Sequence, residues 1–173
     1  MIALALRLLQ QLVKALNSEG TSFQVAAGIA LGACLGLTPI ANLHNVAVFL
    51  VVMILNVSMA GFWLGWGAFV PVGFLLDPLF DRLGQALLES AALRPLWTSL
   101  TNMPVVPFTN LNNSVVLGSF VFWIVGFVPI LLLAKWGVAT YRATLLERLK
   151  RTKLFKAIGA SKLYNLYTTL WPT

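Results

Sequence analysis

The 173-residue sequence has few charged residues, and acidic ones are the scarcest. Charged residues make up 10% of the chain, and only five of them are Asp or Glu, whereas an average soluble domain is about 25% charged. A soluble domain of this length could not bury the 59% of residues that are hydrophobic. The composition, with a mean hydropathy of +0.86, therefore predicts an all-α, multi-pass membrane protein with roughly three or four crossings of about 20 residues each.

The residue sets that most enzymes and metal sites use are also missing. Cys34 is the only cysteine and His44 the only histidine, so the sequence predicts neither an internal disulfide nor a multi-cysteine metal site. Asp77 and Asp81 are four residues apart, but we interpret Asp77 as a helix N-cap and Asp81 as a residue of that helix's first turn. No phosphate-binding glycine loop or serine–histidine–acid set occurs. We expect a protein that is not an enzyme and has no metal or other cofactor.

The net charge of +7 lies in the C-terminal tail. Residues 1–134 contain equal numbers of cationic and acidic side chains. In residues 135–173, every charged side chain is cationic except that of Glu147. A basic segment that follows an apolar span is typical of the cytoplasmic side of a membrane, and we favour this interpretation over nucleic-acid binding. The sequence predicts a basic, helical cytoplasmic tail over residues 137–173 in which four residues contact anionic lipid: Lys150, Arg151, Lys153 and Lys156.

The N-terminal segment predicts an amphipathic helix. Over residues 1–18 the polar side chains, Arg7 and Lys14 among them, fall within one arc of a helical projection. Two cations favour a helix that lies in the cytoplasmic membrane interface, with packing on the protein's own cytoplasmic side as the alternative. Both termini are then cytoplasmic. Gly20 ends this helix, and Thr21-Ser22-Phe23-Gln24 has the spacing of a capping box for the next one.

Residues 20–76 carry no formal charge and would be about 86 Å long as one helix, far more than one crossing of about 30 Å. They must therefore fold back, and we place breaks that leave helices over 22–37, 40–56 and 57–76. The first two are each only about 25 Å long as helix, so we favour a re-entrant helical hairpin with Pro39 near its tip, and a fully spanning pair is the alternative.

We place the membrane domain at residues 1–136. Its second half has clearer signals for where helices begin and end. Asp77-Pro78 predicts the start of an interfacial helix that runs to about residue 92. Residues 93–113 predict a loop, held near the headgroups by Trp97 and Phe108. Residues 114–134 are uncharged and precede Lys135, which predicts a spanning helix.

Three glycines four residues apart, Gly28, Gly32 and Gly36, predict a flat groove on one helix face, next to Pro39. Without Cβ atoms another helix can approach closely, and such contacts drive helix association in lipid. Two interpretations remain open. The groove packs inside the protein, against residues 40–56 for example, or it docks a partner subunit.

A group of polar residues lies within the apolar region: Asn42, His44, Asn45 and Asn56. Polar side chains in a membrane normally face protein or a water-filled cavity, because exposure to hydrocarbon is costly. They either hydrogen-bond within the hairpin tip or form a polar intramembrane site, where the near-neutral pKa of histidine would suit proton handling.

Residues 24–32, read with Gly36-Leu37-Thr38-Pro39, resemble the core of a family of small bacterial membrane proteins known as domain of unknown function twenty sixty-two. Asn42-Leu43-His44-Asn45 and residues 73–78 are similar to one subgroup. The resemblance covers roughly residues 1–136, and it implies a multi-pass protein of the bacterial inner membrane without any known activity.

Together these features predict a non-enzymatic inner-membrane subunit or scaffold, with lipid handling or envelope maintenance as its candidate process. Its partners would be membrane lipid and another membrane protein, and a homo-oligomer remains open. The alternative is a small transporter or channel with its site at Asn42, His44 and Asn45. A lipid-modifying enzyme ranks third, because no acid and base are assembled.

Overall fold

The computed structural model describes residues 20–39 and 42–145, and every regular element in these ranges is helical. We number the α-helices α1 to α5: Ser22–Leu37, Leu43–Ile54, Met59–Glu89, Arg94–Thr101 and Ser114–Thr140. Short 3-10 turns cover Ala91–Leu93 and Val106–Thr109, and α5 continues into a π-helical turn over Tyr141–Leu145. The all-α prediction is confirmed for these residues. The predicted helix over 1–18 and the lipid contacts of Lys150, Arg151, Lys153 and Lys156 lie outside the described residues.

The predicted start of α1 is confirmed. The Thr21 hydroxyl accepts a hydrogen bond from the Gln24 backbone N–H at 3.2 Å, and the Gln24 side chain accepts one from the Thr21 N–H at 2.7 Å. These two bonds satisfy backbone donors that the first helical turn leaves open. Gly20, just before the cap, has a φ of 133°, which suits glycine better than any other residue.

The prediction that a new helix begins at Asp77-Pro78 is wrong. Helix α3 runs without interruption through both Pro71 and Pro78. Each proline removes one backbone hydrogen bond, but packing on either side of Pro78 holds the helix: Gly73 lies against α1, and Phe80 is fully buried beside Phe122 of α5. Tertiary contacts therefore override a local start signal.

Asp81 consequently has a role other than the predicted one. It lies inside α3 and accepts hydrogen bonds from the Ser114 hydroxyl and, at 3.1 Å, from the Gln85 side-chain amide. Ser114 is the first residue of α5. The carboxylate thus connects α3 to the beginning of α5.

The predicted loop over 93–113 is only partly correct, because it contains the short helix α4. Pro95 lies in the first turn of α4, where its missing N–H costs nothing. Trp97 donates its indole N–H to the Leu87 carbonyl of α3 at 2.9 Å, while the Phe108 side chain is 70% exposed. The predicted headgroup contact of these two aromatics stays a prediction.

The contacts fix the direction of each helix. Helix α3 runs parallel to α1, because Val25 lies against Gly61, Ile29 against Gly65, and Leu37 against Gly73. The Ser58 N–H donates to the Gln24 carbonyl at 3.1 Å, so α2 has brought the chain back to where α1 began.

Helix α5 runs in the opposite direction. Its first residue, Ser114, lies against Gly84 near the end of α3. Just beyond its last residue, the Arg142 side chain donates to the Gly20 carbonyl at 2.8 Å, next to the beginning of α1. We call the end with Gly20, Ser58 and Arg142 the near end, and the end with residues 90–113 the far end. Helix α5 continues through the predicted domain boundary at 136 to Thr140, and the division into a membrane domain and a tail stays a prediction.

Helix α1 lies at the centre of the bundle although it is only 16 residues long. Eleven of these residues are buried, and eight of the eleven are Gly, Ala or Val. Leu31 packs with Val52 of α2 and Phe62 of α3 in the core, and Trp123 of α5 donates its indole N–H to the Ala30 carbonyl at 2.8 Å. Small side chains on α1 are what allow the other helices to surround it.

Candidate functional site

The three glycines of the predicted groove all face α3. A Cβ placed on Gly32 would overlap the Phe62 carbonyl oxygen and lie 2.8 Å from the Trp66 backbone nitrogen. Gly28 meets backbone of residues 58–62 in the same way, and Gly36 lies against the Trp66 carbonyl oxygen, 2.7 Å from where its Cβ would be. The two helices therefore touch backbone to backbone.

Helix α3 contributes glycines of its own to this contact. A Cβ on Gly61 would lie 2.6 Å from the Val25 carbonyl oxygen, and one on Gly65 would overlap the Ile29 carbonyl oxygen. We had named residues 40–56 as an example of what could pack on the glycine groove. That example is wrong, because α2 has no glycines that would let it approach as closely as α3 does. The Gly61-x-x-x-Gly65 spacing was the sequence signal for the true partner. Since the chain itself fills the groove, this face is not open to a partner subunit.

The polar tip between α1 and α2 is built around the Asn45 side chain. Its Nδ2 donates to the Pro39 carbonyl at 2.8 Å, and its Oδ1 lies 2.8 Å from the Thr38 hydroxyl and 3.7 Å from the Cys34 sulfur. The Thr38 hydroxyl also lies 2.7 Å from the Cys34 carbonyl. A hydroxyl carries one proton, so these two acceptors share it. The amide of Asn45 thereby closes the tip onto the end of α1.

Asn42 connects the tip to the far end of the bundle. Its Nδ2 donates to the Pro39 carbonyl at 2.5 Å, and its Oδ1 accepts from the Asn110 side chain at 2.8 Å. Asn110 has a φ of 54°, a left-handed conformation that asparagine tolerates better than most residues. The tip of the hairpin therefore meets the loop that joins α4 to α5.

His44 is close to the tip but belongs to a different contact. Its ring packs on Phe120 of α5, with 4.5 Å between centroids, and is 9% exposed. Neither ring nitrogen makes a well-aligned hydrogen bond to a described residue, although the Thr109 backbone lies close to the ring; this is unusual because buried polar atoms are nearly always paired. In this part of the chain, no three His, Cys, Asp or Glu side chains come together in a metal-binding arrangement.

Asn56 does not join the other three polar residues. It is exposed and lies beyond the opposite end of α2, about 20 Å from the tip by helix length. The predicted four-residue polar site is therefore corrected to Asn42 and Asn45 at the tip, with His44 alongside. The predicted helix over 40–56 already implied this separation, because fourteen helical residues cover about 21 Å.

The sequence did not reveal an apolar groove at the near half of the bundle. A cavity of about 360 Å³ opens between Ile29 of α1, Phe69 of α3 and one face of α5 that runs from Ile130 to Tyr141. The Tyr141 hydroxyl is buried there without a hydrogen-bond partner among the described residues. A Cβ on Gly137, in the same groove, would meet nothing within 4 Å.

Comparison with known proteins gives one informative similarity. An uncharacterized protein of Treponema pallidum (strain Nichols) is 25% identical over 150 residues, which cover 87% of this chain and 93% of the relative. No protein-family profile matches the chain, and no solved structure matches it. The resemblance to the domain of unknown function twenty sixty-two family stays a prediction.

Proposed function

We propose that this protein is an integral protein of the bacterial inner membrane and serves as a non-enzymatic subunit or scaffold for a partner membrane protein. The observation that carries the proposal is the exposure of its most apolar helices. Met59–Glu89 and Ser114–Thr144 are long and apolar enough to cross a membrane, and only 22% of the most apolar stretch of each is buried. A core helix of a soluble protein would be mostly buried, and water would not tolerate such faces.

The exposed apolar side chains fit the thickness of one bilayer. Along α3 the large ones occur between Met59 and Leu79, a distance of about 30 Å on a helix and therefore one hydrocarbon core. Those on α5 lie between Ile124 and Trp136, beside the same part of α3 because the two helices are antiparallel. Lys135 reaches the near-end interface by extending its long side chain.

The hairpin tip supports a spanning hairpin over a re-entrant one. Asn42 bonds to Asn110 of the far-end loop, so the tip and that loop share one side of the bilayer. Helix α1, about 24 Å long, can be shorter than the bilayer because it is surrounded by protein. Helix α2 is about 18 Å long, and residues 55–58 complete its path back, since the Ser58 N–H bonds to Gln24 at the beginning of α1. This topology gives four crossings and puts residues 20 and 145 at the near end. The basic tail then favours a cytoplasmic near end.

A partner subunit would use an outer face, since the glycine groove is filled. The exposed side chains of α2 include Val46, Leu50, Met53 and Ile54, which lie on one stripe at helical spacing. No charged residue interrupts that stripe. An apolar surface of this kind packs against another transmembrane helix as readily as against lipid.

The test has two stages. Resistance of the protein to alkaline extraction from bacterial membranes measures integration, and release into plain buffer would refute the membrane proposal. Affinity purification in mild detergent then asks for a co-purifying membrane protein. We expect the Leu50→Trp variant on α2 to lose the co-purifying protein. The Leu132→Trp variant should keep it, although Leu132 on α5 is about as exposed as Leu50. A monomer with no partner in either case would refute the subunit proposal.

The second candidate, a small transporter or channel, is favoured by one observation: the His44 ring is buried, and its nitrogens make no well-aligned hydrogen bond to a described residue. Flux of protons or small ions into liposomes containing the purified protein tests it. Transport that requires His44 and Asn42, and that survives Asn56→Ala, would support this function. Flux that the combined His44→Ala and Asn42→Ala variant leaves unchanged would exclude the site.

A further inference from the structure

The groove at the near half of the bundle has the length of a single membrane leaflet. Its wall on α5 extends from Ile130 to Tyr141, about 16 Å along a helix, which is roughly half of the hydrocarbon thickness. It opens sideways, since Leu133 on its rim is 68% exposed and Gly137 has open space beside it. A molecule in the surrounding bilayer can therefore enter without passing through water.

The lining of the groove favours a hydrocarbon chain. Apart from Tyr141, every lining residue has an apolar side chain or, at Gly137, none. An occupant therefore gains dispersion contacts along the groove and needs no hydrogen bonds there.

Cationic side chains lie beside the groove, with Arg142 at its near end and Lys135 beside its middle. The Tyr141 hydroxyl is buried there and has no partner among the described residues. Lys135 and Arg142 lie on the adjacent face of α5, seven residues apart and therefore nearly in line. This charge is complementary to a phosphate.

We propose that the groove binds one acyl chain of an anionic phospholipid of the near-end leaflet. The chain lies against Ile29, Phe69 and Gly137, and Lys135 with Arg142 attracts the headgroup. This inference rests on the proposed membrane location. It adds a defined lipid site where that proposal requires only general contact with the bilayer.

Lipid retention by the purified protein tests the site. Delipidated protein in mild detergent is mixed with dioleoyl phosphatidylglycerol or dioleoyl phosphatidylcholine, and bound lipid is counted by native mass spectrometry. We expect one tightly held phosphatidylglycerol and at least tenfold weaker retention by Gly137→Leu, whose new side chain fills the groove. Gly67→Leu is the matched control, because Gly67 also has open space within 4 Å but lies outside the groove. Lys135→Gln should reduce the preference for phosphatidylglycerol.

Several outcomes would overturn the inference. Equal retention by Gly137→Leu and Gly67→Leu, or equal binding of the two lipids by the wild type, would contradict a specific anionic site. A photo-crosslinking residue at Leu133, on the exposed rim of the groove, should give a phospholipid adduct, and a polypeptide adduct would identify a helix as the occupant. Alkaline extraction of the same variants separates the two proposals: a membrane-integrated protein without retained lipid refutes only the lipid site.

Discussion

Replacing Gly32 with alanine should destabilise the bundle more than any other single-methyl change on α1. The new Cβ would overlap the Phe62 carbonyl oxygen and lie 2.8 Å from the Trp66 nitrogen, whereas non-bonded heavy atoms prefer about 3.5–4.0 Å. The obstructing atoms are backbone, so no side chain can turn aside. The helices must separate by roughly 1 Å, a gap that forfeits a quarter to a half of each dispersion contact.

The magnitude follows from two opposing effects. Overpacking of a close interface costs about 1–3 kcal/mol, and immovable backbone atoms place Gly32→Ala near the upper limit. Alanine regains about 0.5–1 kcal/mol because it loses less backbone entropy in a helix than glycine. We expect a net loss of about 2 kcal/mol in the free energy of unfolding, near a 30-fold change in the folded-to-unfolded ratio.

The control is Gly67→Ala on α3, where the added methyl meets nothing within 4 Å. It should leave stability unchanged or raise it by up to about 1 kcal/mol. Both variants can be unfolded reversibly in mixed micelles with rising proportions of denaturing detergent, followed by tryptophan fluorescence. If Gly32→Ala unfolds at the same detergent fraction as Gly67→Ala, the backbone contact between α1 and α3 does not hold the fold.

Three further predictions use the same purified protein. Asn45→Ala should lower the unfolding free energy by about 1–3 kcal/mol, because the Pro39 carbonyl and the Thr38 hydroxyl lose a buried partner. Asn56→Ala, at an exposed position, should change the unfolding free energy by no more than about 0.5 kcal/mol. Equal effects of the two changes would contradict the hydrogen bonds at the tip. Trp123→Phe should cost about 0.5–1.5 kcal/mol through loss of the bond to the Ala30 carbonyl, and an unchanged transition would argue against that contact. Cys34, with 0% exposure, should react with maleimide only after unfolding, as followed by mass spectrometry; rapid labelling of the folded protein would rule out a central α1.

Sequence signals were reliable where the deciding contacts are local. The capping box needs only Thr21 and Gln24, three residues apart, so its hydrogen bonds could be inferred from their order alone. Asp77-Pro78 has an equally local signal, yet α3 passes straight through it. The difference is that Gly73 and Phe80, on either side of Pro78, are held by other helices. A local preference worth about 1 kcal/mol cannot compete with such packing.

The contacts that hold the helices together, and so position the tip and the groove, could not be predicted, because they join residues far apart in the chain. Trp123 to Ala30 and Arg142 to Gly20 are two of them. Spacing can reveal that a helix face is flat, but it does not name the helix that covers it. The groove beside Tyr141 depends on where three helices diverge, and no pattern within one helix encodes that.

Glycine illustrates this limit, because the same residue has two opposite functions in this bundle. At some positions a missing Cβ lets backbones touch, with a backbone atom within 3 Å of where that Cβ would lie. These positions are Gly28, Gly32, Gly36, Gly61, Gly65, Gly73, Gly84 and Gly118. At Gly67 and Gly137 the missing Cβ instead leaves room on the surface. Helix association in lipid depends on close packing, so the first group determines the fold. The second group leaves α3 and α5 with gaps that the surrounding bilayer or a partner can fill, and in the case of Gly137 that gap is the entrance to the groove.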